Sequence, residues 1–490
     1  MENENFKKAN DVVLIFPRTG SMDIKGILIE IPQGILFIAA YLEKEGFKVK
    51  LIDQRVDEDW KKILKKETAN AKFVGISAMT GKQIHYGIEI AKFVRKISNA
   101  KIIWGGIHPS IMPEQTIKNN LVDIIVAGEG EETMVDLLKK DLENVKGIYF
   151  KKNGKIIKTE SRNFLDLNKT PPLPFHLLEM NNYFIPFVGV RGIHLHTSRG
   201  CPHRCTFCYN KVFNKSKWRC MNAKKVADMI ENVVKKFNVS GIVFAEDNFF
   251  VDLKRVESIF QELDKRNIHI RWKANCRIDY LGKMSEEFLC FLENHGLDTL
   301  DVGVESGSDK ILKDMQKDIT TEQIYRVNKK LARTNIRLRY GFIMGVPNES
   351  EEDRNLTLQM ILRIVKENEK ALIANVAIFS PFPGCKMSDE VIKMGYSPPT
   401  NLRDWGNLSY TTTSMPFIDK KLGKKLENIS HMSRFIDGRS VKRYLTTRPL
   451  MWNVANIYSK IVRYRWRKEN FSFMPGLEIF KFVFNKGWIR

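Results

Sequence analysis

The chain is poor in cysteine and in acid, and it lacks any long apolar run. Seven cysteines among 490 residues are too few and too scattered for a disulfide framework. No stretch approaches the roughly eighteen apolar residues of a membrane-crossing helix, so no spanning segment is predicted. The opening Met1-Glu2-Asn3-Glu4-Asn5-Phe6-Lys7-Lys8 has no apolar segment behind a basic region, which predicts no signal peptide. Only 57 Asp and Glu stand against 80 Lys and Arg, a formal charge of +23. The excess is uneven, because Ile418 to Arg490 carries 17 basic and 5 acidic residues, about half of the total charge. A hydrophobic content of 43% is enough to bury a core, and 490 residues predict two or three domains.

Three of the cysteines are not scattered. Gly200-Cys201-Pro202-His203-Arg204-Cys205-Thr206-Phe207-Cys208-Tyr209 is a C-x3-C-x2-C triplet on one short loop. Three thiolates can hold three irons of a 4Fe-4S cluster and leave one iron open. The other reading is zinc, but structural zinc usually takes paired cysteines from two loops, and the chain has no partner pair. Cys220, Cys276, Cys290 and Cys385 stand alone and read as ordinary thiols. The triplet, the aromatic Phe207 before its last cysteine and the lead-in Thr197-Ser198-Arg199-Gly200 resemble the radical S-adenosylmethionine (radical SAM) enzymes. In that family the open iron takes the amino and carboxylate groups of SAM. A cluster also needs a reducing, low-oxygen interior, which predicts a cytosolic setting.

The first 145 residues alternate strand and helix patterns. Val12 to Phe16, Val49 to Asp53, Phe73 to Ser77, Ile102 to Trp104 and Val122 to Val126 are short apolar runs. Amphipathic segments such as Gly34 to Glu45 and Tyr86 to Ile97 separate them. This pattern predicts a parallel α/β sheet in flavodoxin-like order, with a ligand site beyond the carboxyl ends of its strands. Three loops there are rich in glycine or small residues: Ser77-Ala78-Met79-Thr80-Gly81, Gly105-Gly106-Ile107-His108-Pro109-Ser110 and Gly128-Glu129-Gly130-Glu131. With Pro32-Gln33-Gly34 and Leu51-Ile52-Asp53 they resemble the cobalamin-binding domain found ahead of many radical SAM domains. That resemblance implies cofactor contacts at Ser77, Thr80, Gly105, Gly106, His108, Gly128 and Glu129. One departure stands out. The Asp-x-His-x-x-Gly motif that supplies a lower cobalt ligand is replaced by Asp53-Gln54-Arg55-Val56-Asp57-Glu58. His108 then reads as a loop residue packed near the corrin.

Residues 146 to 190 read as a connector. Gly147 to Phe150 and Lys155 to Ile157 are expected to pair as a hairpin around Asn153-Gly154, and Thr170-Pro171-Pro172-Leu173-Pro174 breaks regular structure. From 191 to 400 strand and helix patterns alternate again. His194 to Thr197, Gly241 to Ala245, Arg271 to Asn275, Thr299 to Val304, Arg337 to Met344 and Asn375 to Phe379 are six expected strands, with helices such as Ala223 to Phe237 and Glu322 to Thr334 between them. Six units fit the partial TIM-type (βα)6 barrel of radical SAM enzymes, with its site at the C-terminal strand ends.

The resemblance assigns roles along this barrel. Glu246 or Asp247, after the second strand, meets the ammonium of SAM; the alternative is a helix cap by Asp247 or Asn248. Arg277, after the third strand, holds a carboxylate of SAM or substrate, or else sits salt-bridged at the rim. Gly303-Val304-Glu305-Ser306-Gly307-Ser308 resembles the Gly-x-Glu-Ser-Gly segment, with Glu305 on the ribose hydroxyls and Ser306 beside it. Phe207 belongs with the cofactor contacts. Gly341-Phe342-Ile343-Met344-Gly345-Val346-Pro347 and Ser380-Pro381-Phe382-Pro383-Gly384 match further elements in unbroken order over roughly residues 10 to 400.

The implied reaction begins with one electron, from a donor such as flavodoxin or ferredoxin. The reduced cluster cleaves SAM to methionine and a 5′-deoxyadenosyl radical, which takes a hydrogen atom from an unactivated carbon. Methylcobalamin then delivers a methyl group, and a second SAM restores it. Relatives also perform cyclisation, rearrangement or carbon–carbon coupling, and a corrinoid sensor with an inactive barrel is a third reading.

Residues 401 to 490 form a basic, aromatic-rich, helical segment. Tyr444, Trp452, Tyr458, Tyr464, Trp466, Phe471, Phe473, Phe480, Phe482, Phe484 and Trp488 lie among its cations. The stretch from Tyr458 to Lys468 suits a basic amphipathic helix, either at an anionic membrane surface or as a lid over the barrel mouth. A small-molecule or lipid-like substrate, apolar or amphiphilic, is expected. No RNA-binding module is recognisable.

Overall fold

A computed structural model of the protein describes residues 10–20, 23, 29–409, 415–438 and 449–471. Seven strands form the first sheet: β1 (Val12–Phe16), β2 (Val49–Asp53), β3 (Phe73–Ser77), β4 (Lys101–Gly105), β5 (Ile124–Val126), β6 (Ile148–Lys152) and β7 (Lys155–Lys158). Their order is β2-β1-β3-β4-β5-β6-β7, parallel from β2 to β5. This is the expected flavodoxin-like order. Runs such as Val12-Val13-Leu14-Ile15 are buried on both faces because helices cover both sides of a parallel sheet. The Asn153-Gly154 hairpin forms as expected, but it is not connector. Its strand β6 pairs antiparallel with β5 and extends the first sheet. Apolar Ile148, Tyr149 and Phe150 explain this, since all three are buried there.

The second sheet contains β8 (Ile185–Phe187) and β9 (Val190–Leu195). After the two-residue strands β10 (Ser198–Arg199) and β11 (Arg219–Cys220), which pair with each other, it continues through β12 (Gly241–Phe244), β13 (Arg271–Cys276), β14 (Leu297–Glu305), β15 (Arg337–Met344), β16 (Ala371–Ile373) and β17 (Ala377–Ile378). The order is β16-β15-β14-β13-β12-β9-β8, with β17 also on β15. From β9 through β12, β13, β14 and β15 to β16 and β17 the pairing is parallel, and β8 joins β9 antiparallel. The sheet curls into a half-barrel rather than closing.

Two expectations shift. The sixth strand is not one run over 375–379 but two short pieces. Amides at the end of the first piece and in the gap are met from the C-terminal part: Ile373 N–H donates to Asp437 and Val376 N–H to Ser433 Oγ. The β8–β9 hairpin, unmarked by any turn motif, covers the other edge.

Barrel helices start on side-chain caps. Asn222 caps Ala223–Phe237, Thr320 with Gln323 forms a capping box on Thr321–Leu331, and Ser350 with Asp353 does so on Glu351–Glu367. Buried Val226, Ala227, Ile230 and Val233 follow the helical period and face the sheet. Among the described residues no helix is long and apolar enough to cross a membrane.

The two sheets share an interface. Gln33 holds the end of β9 through both amide atoms, donating to His194 O and accepting from His196 N–H at 3.0 Å. After the barrel the chain returns to the first domain. Leu402 and Trp405 lie in its hydrophobic core, Gln115 donates to Pro399 O, and His85 bonds Asn407. Residues near 402–408 therefore belong structurally with the first sheet.

Candidate active site

The loop bearing Cys201, Cys205 and Cys208 leaves the C-terminal end of β9. Pairing of Ser198-Arg199 with Arg219-Cys220 closes its base. Gly200 sits at φ +85°, and a Cβ there would lie 2.1 Å from Lys217 O. No L side chain fits that position, since the obstructing atom is backbone. The loop is also tied from outside: Thr206 N–H donates to Met315 O, Met387 N–H to Thr206 O, and Gly200 N–H to Asp247. Gly200→Ala is therefore expected to lower iron and sulfide content roughly tenfold, from about 1–3 kcal/mol of strain, while cobalamin content stays unchanged. Full iron occupancy in that variant would contradict this reading of the loop.

All three thiols are free; Cys205 is buried and the others are half-buried. Burial pushes the Cys201 thiol up and that of Cys208 to about 12. Arg277 opposes this at Cys201 and stands 3.5 Å from Cys205 Sγ. Its other donors go to Asp279 and Lys317 O. Arg277 is thus no rim residue but a buried cation beside a cluster ligand. Asn248 Nδ2 lies 3.9 Å from Cys201 Sγ. Among the described residues no three His, Cys, Asp or Glu side chains converge on a single ion. A four-iron cubane takes one thiolate per iron and asks for no such convergence.

The two carboxylates after β12 separate clearly. Glu246 is buried, and it accepts from Thr197 N–H, Thr197 Oγ and Ser198 Oγ at the root of the cysteine loop. Burial raises its pKa, against Arg255 and these hydrogen bonds. Its oxygens are spent on architecture. Asp247 is exposed and, among the described residues, accepts only Gly200 N–H at 3.0 Å and Tyr209 O–H at 3.2 Å. Asn248, not Asp247, makes the local cap, on Phe250 N–H.

Glu305 ends β14 at φ +73°, an unusual conformation for a residue with a side chain, beside a register shift in the sheet. Its Oε1 accepts from Lys317 Nζ at 2.6 Å, with both side chains largely buried. Lys317 Nζ also lies 5.7 Å from the Phe207 ring centroid, between the cysteine loop and Glu305. Lys317 carries no motif in the sequence; the positive φ of its neighbours Gln316 and Asp318 is visible only in the structure. Ser306 is fully buried and bonds Thr357 Oγ1 and Ser308 N–H, so it shapes the turn.

The strand-end loops of the first sheet gather as expected. Gly106, at φ +93°, lets the loop after β4 cross so closely that a Cβ would lie 2.9 Å from Ala78 O. Ser77 and Gly105 flank that crossing, where their strands pair. Thr80 Oγ1 and His108 Nδ1 are 2.9 Å apart, and the His108 ring lies against Trp405. Burial pushes His108 down to about 4, so its imidazole is neutral, and Nε2 is buried without a partner among the described residues. Gly128 has open space where a Cβ would stand. An orphaned ring nitrogen and open glycine loops at the strand ends fit a large polar cofactor such as cobalamin. At the place of the missing motif histidine, Arg55 forks onto buried Asp53, which also accepts from Tyr183 O–H.

Glu129 is not free for a cofactor. Its Oε1 accepts from both Arg199 and Arg219 at 2.7 Å, and its Oε2 from Leu165 N–H. Arg199 also donates to Glu131 at 2.6 Å. Burial opposes the charge of Arg199, and the two glutamates more than offset it. These pairs tie the loop after β5 to the root of the cysteine loop, two residues before Cys201. Sequence spacing gives no hint of them.

The profile of the Radical SAM superfamily matches residues 195–361, and that of the B12 binding domain matches residues 28–138. The chain is 27% identical over 436 residues to an uncharacterized methyltransferase of Pyrococcus horikoshii, covering 86% of this chain and 91% of that one. It is 26% identical over 434 residues to the anaerobic magnesium-protoporphyrin IX monomethyl ester cyclase of Rubrivivax gelatinosus, covering 85% and 76%. Its fold is similar to that of OxsB, a cobalamin-dependent S-adenosylmethionine radical enzyme solved with aqua-cobalamin, at TM-score 0.74 and 20% identity over 97% of this chain and 75% of that one. The two domains take a 4Fe-4S cluster with S-adenosylmethionine and a cobalamin, and the thiol triplet and strand-end loops lie where each is needed. The chain belongs to the cobalamin-binding radical SAM enzymes.

Proposed function

We propose that the chain is a methyltransferase that places a methyl group on an unactivated carbon of its substrate. The observation that carries this reading is the Glu129–Arg199–Glu131 junction, which ties a cobalamin loop to the cysteine loop. Such a junction fixes the spacing of two cofactor sites, and correct spacing of reacting groups is worth about 7–11 kcal/mol of a barrier. The cofactors supply radical formation and the methyl group.

The chain's own residues position and exclude. Asp247 accepts from the ammonium of SAM. Glu305, held at one oxygen by Lys317, keeps the other for the ribose hydroxyls. Arg277 offsets negative charge beside Cys205, and neutral His108 offers Nε2 to the corrin. The buried face between the two sheets keeps water from the reacting atoms.

A methyltransferase consumes a second SAM, so anaerobically reconstituted holoenzyme under strong reductant should form 5′-deoxyadenosine and S-adenosylhomocysteine together. With methyl-labelled SAM and candidate apolar substrates, the label should enter the product. The match to a cyclase of Rubrivivax gelatinosus favours a second reading, radical cyclisation. A product without label, formed with 5′-deoxyadenosine but no S-adenosylhomocysteine, would replace methyl transfer with that reading.

A further inference from the structure

The last described helix, Pro449–Arg467, has two apolar faces, and protein covers one of them. At 3.6 residues per turn, Ser459, Val462 and Trp466 share a face, and all three are buried. Trp466 meets Phe471 edge-on, Tyr458 meets Phe435, and the helix packs on Glu351–Glu367 at the outside of the barrel. On the opposite face Ile457, Ile461 and Tyr464 are 61%, 47% and 64% exposed. They are the three most exposed large hydrophobic residues among those described, and they fall on one stripe of one helix. Lys460, Arg467 and Lys468 are exposed along it. From Asn456 to Phe471 the cations are Lys460, Arg463, Arg465, Arg467 and Lys468, and Glu469 is the one acid.

We propose that this stripe docks on an anionic lipid surface. Apolar residues on one face, with cations beside them, match a helix lying in the plane of a bilayer interface. The occupant follows from charge. A second copy of the same face would bring like charges together, whereas anionic headgroups neutralise them. The basic tail, with half of the chain's net charge, adds to the attraction. Each cation near such a surface strengthens partition about fivefold. The docked helix orients the barrel flank toward the membrane and brings the enzyme to amphiphilic substrates.

The test is sedimentation of the full-length holoenzyme with vesicles of phosphatidylcholine alone or with about one-third phosphatidylglycerol. Binding to the anionic vesicles is expected, falling as salt rises. The triple variant Ile457→Ser, Ile461→Ser, Tyr464→Ser should lose most of it. Lys460→Glu, Arg467→Glu, Lys468→Glu should weaken it at least roughly a hundredfold, since removing three cations alone does that and the added acids repel the surface. Iron, cobalamin and 5′-deoxyadenosine formation should be unchanged in both, which separates this test from that of methyl transfer. Equal partition of wild type and either variant overturns the proposal, as does equal binding to neutral vesicles. A dimer in sedimentation velocity that the serine variant abolishes would overturn it in favour of a second copy.

Discussion

Replacing Cys205 with alanine is expected to abolish cluster absorbance and bound iron, and with them 5′-deoxyadenosine formation, while cobalamin binding stays near wild type. One thiolate serves one iron in a cubane, so losing one of three leaves two irons without protein ligands. The loop itself should survive. The Thr206 bonds to Met315 and Met387 are backbone bonds, and Cys205 is a small buried side chain. Cobalamin binding should survive because one of its domain's hydrophobic cores is built from β1 to β5, their helices, Leu402 and Trp405, with no residue of the cysteine loop. Iron and sulfide analysis, visible spectra and product chromatography read these outcomes. A variant that keeps its iron and makes 5′-deoxyadenosine would remove Cys205 from the ligand set. A variant that loses both cofactors would mean that the domains fold as one unit.

Lys317→Met is expected to cost about 3–5 kcal/mol of stability, because it leaves the Glu305 carboxylate buried without its cation. The side chains are 7% and 10% exposed, so solvent replaces little of what is lost. SAM affinity should fall at least about tenfold (~1.4 kcal/mol), the value of a hydrogen bond to a charged group that is no longer held in place. The double variant Lys317→Met, Glu305→Gln separates the two effects. It removes both charges and should recover most of the stability, since a buried pair replaced as a whole is nearly neutral. It should not recover SAM binding. Chemical denaturation and equilibrium dialysis with SAM measure each. Unchanged SAM affinity in both variants would exclude the Glu305–Lys317 pair from the SAM site, whatever the stability change.

The line between what is local and what is distant explains which features could be read in advance. The thiol triplet, the strand-end glycines and the parallel order of the first sheet follow from spacing and period, which a chain displays in its order of residues. Glu246 and Asp247 are adjacent and chemically alike, so nothing local distinguishes them. Their roles separate only because Thr197 and Ser198, brought from β9, satisfy one of them. The resemblance of its glycine-bearing loop to a cobalamin-binding domain implies a cofactor contact at Glu129. Arg199 and Arg219, from 70 and 90 residues away, claim it instead.

By itself the sequence determined the chemistry available to this protein: three thiols on one loop, a cobalamin-type sheet ahead of a half-barrel, and a cationic end. Tertiary structure alone decided which polar groups remain open to ligands. It assigned Glu246 and Ser306 to support, left Asp247 exposed, paired Lys317 with Glu305, sealed neutral His108 under Trp405, and turned Ile457, Ile461 and Tyr464 outward. The physical reason is that a buried polar group must find a partner. That partner usually comes from a distant part of the chain, so only the folded arrangement shows whether it has already been found.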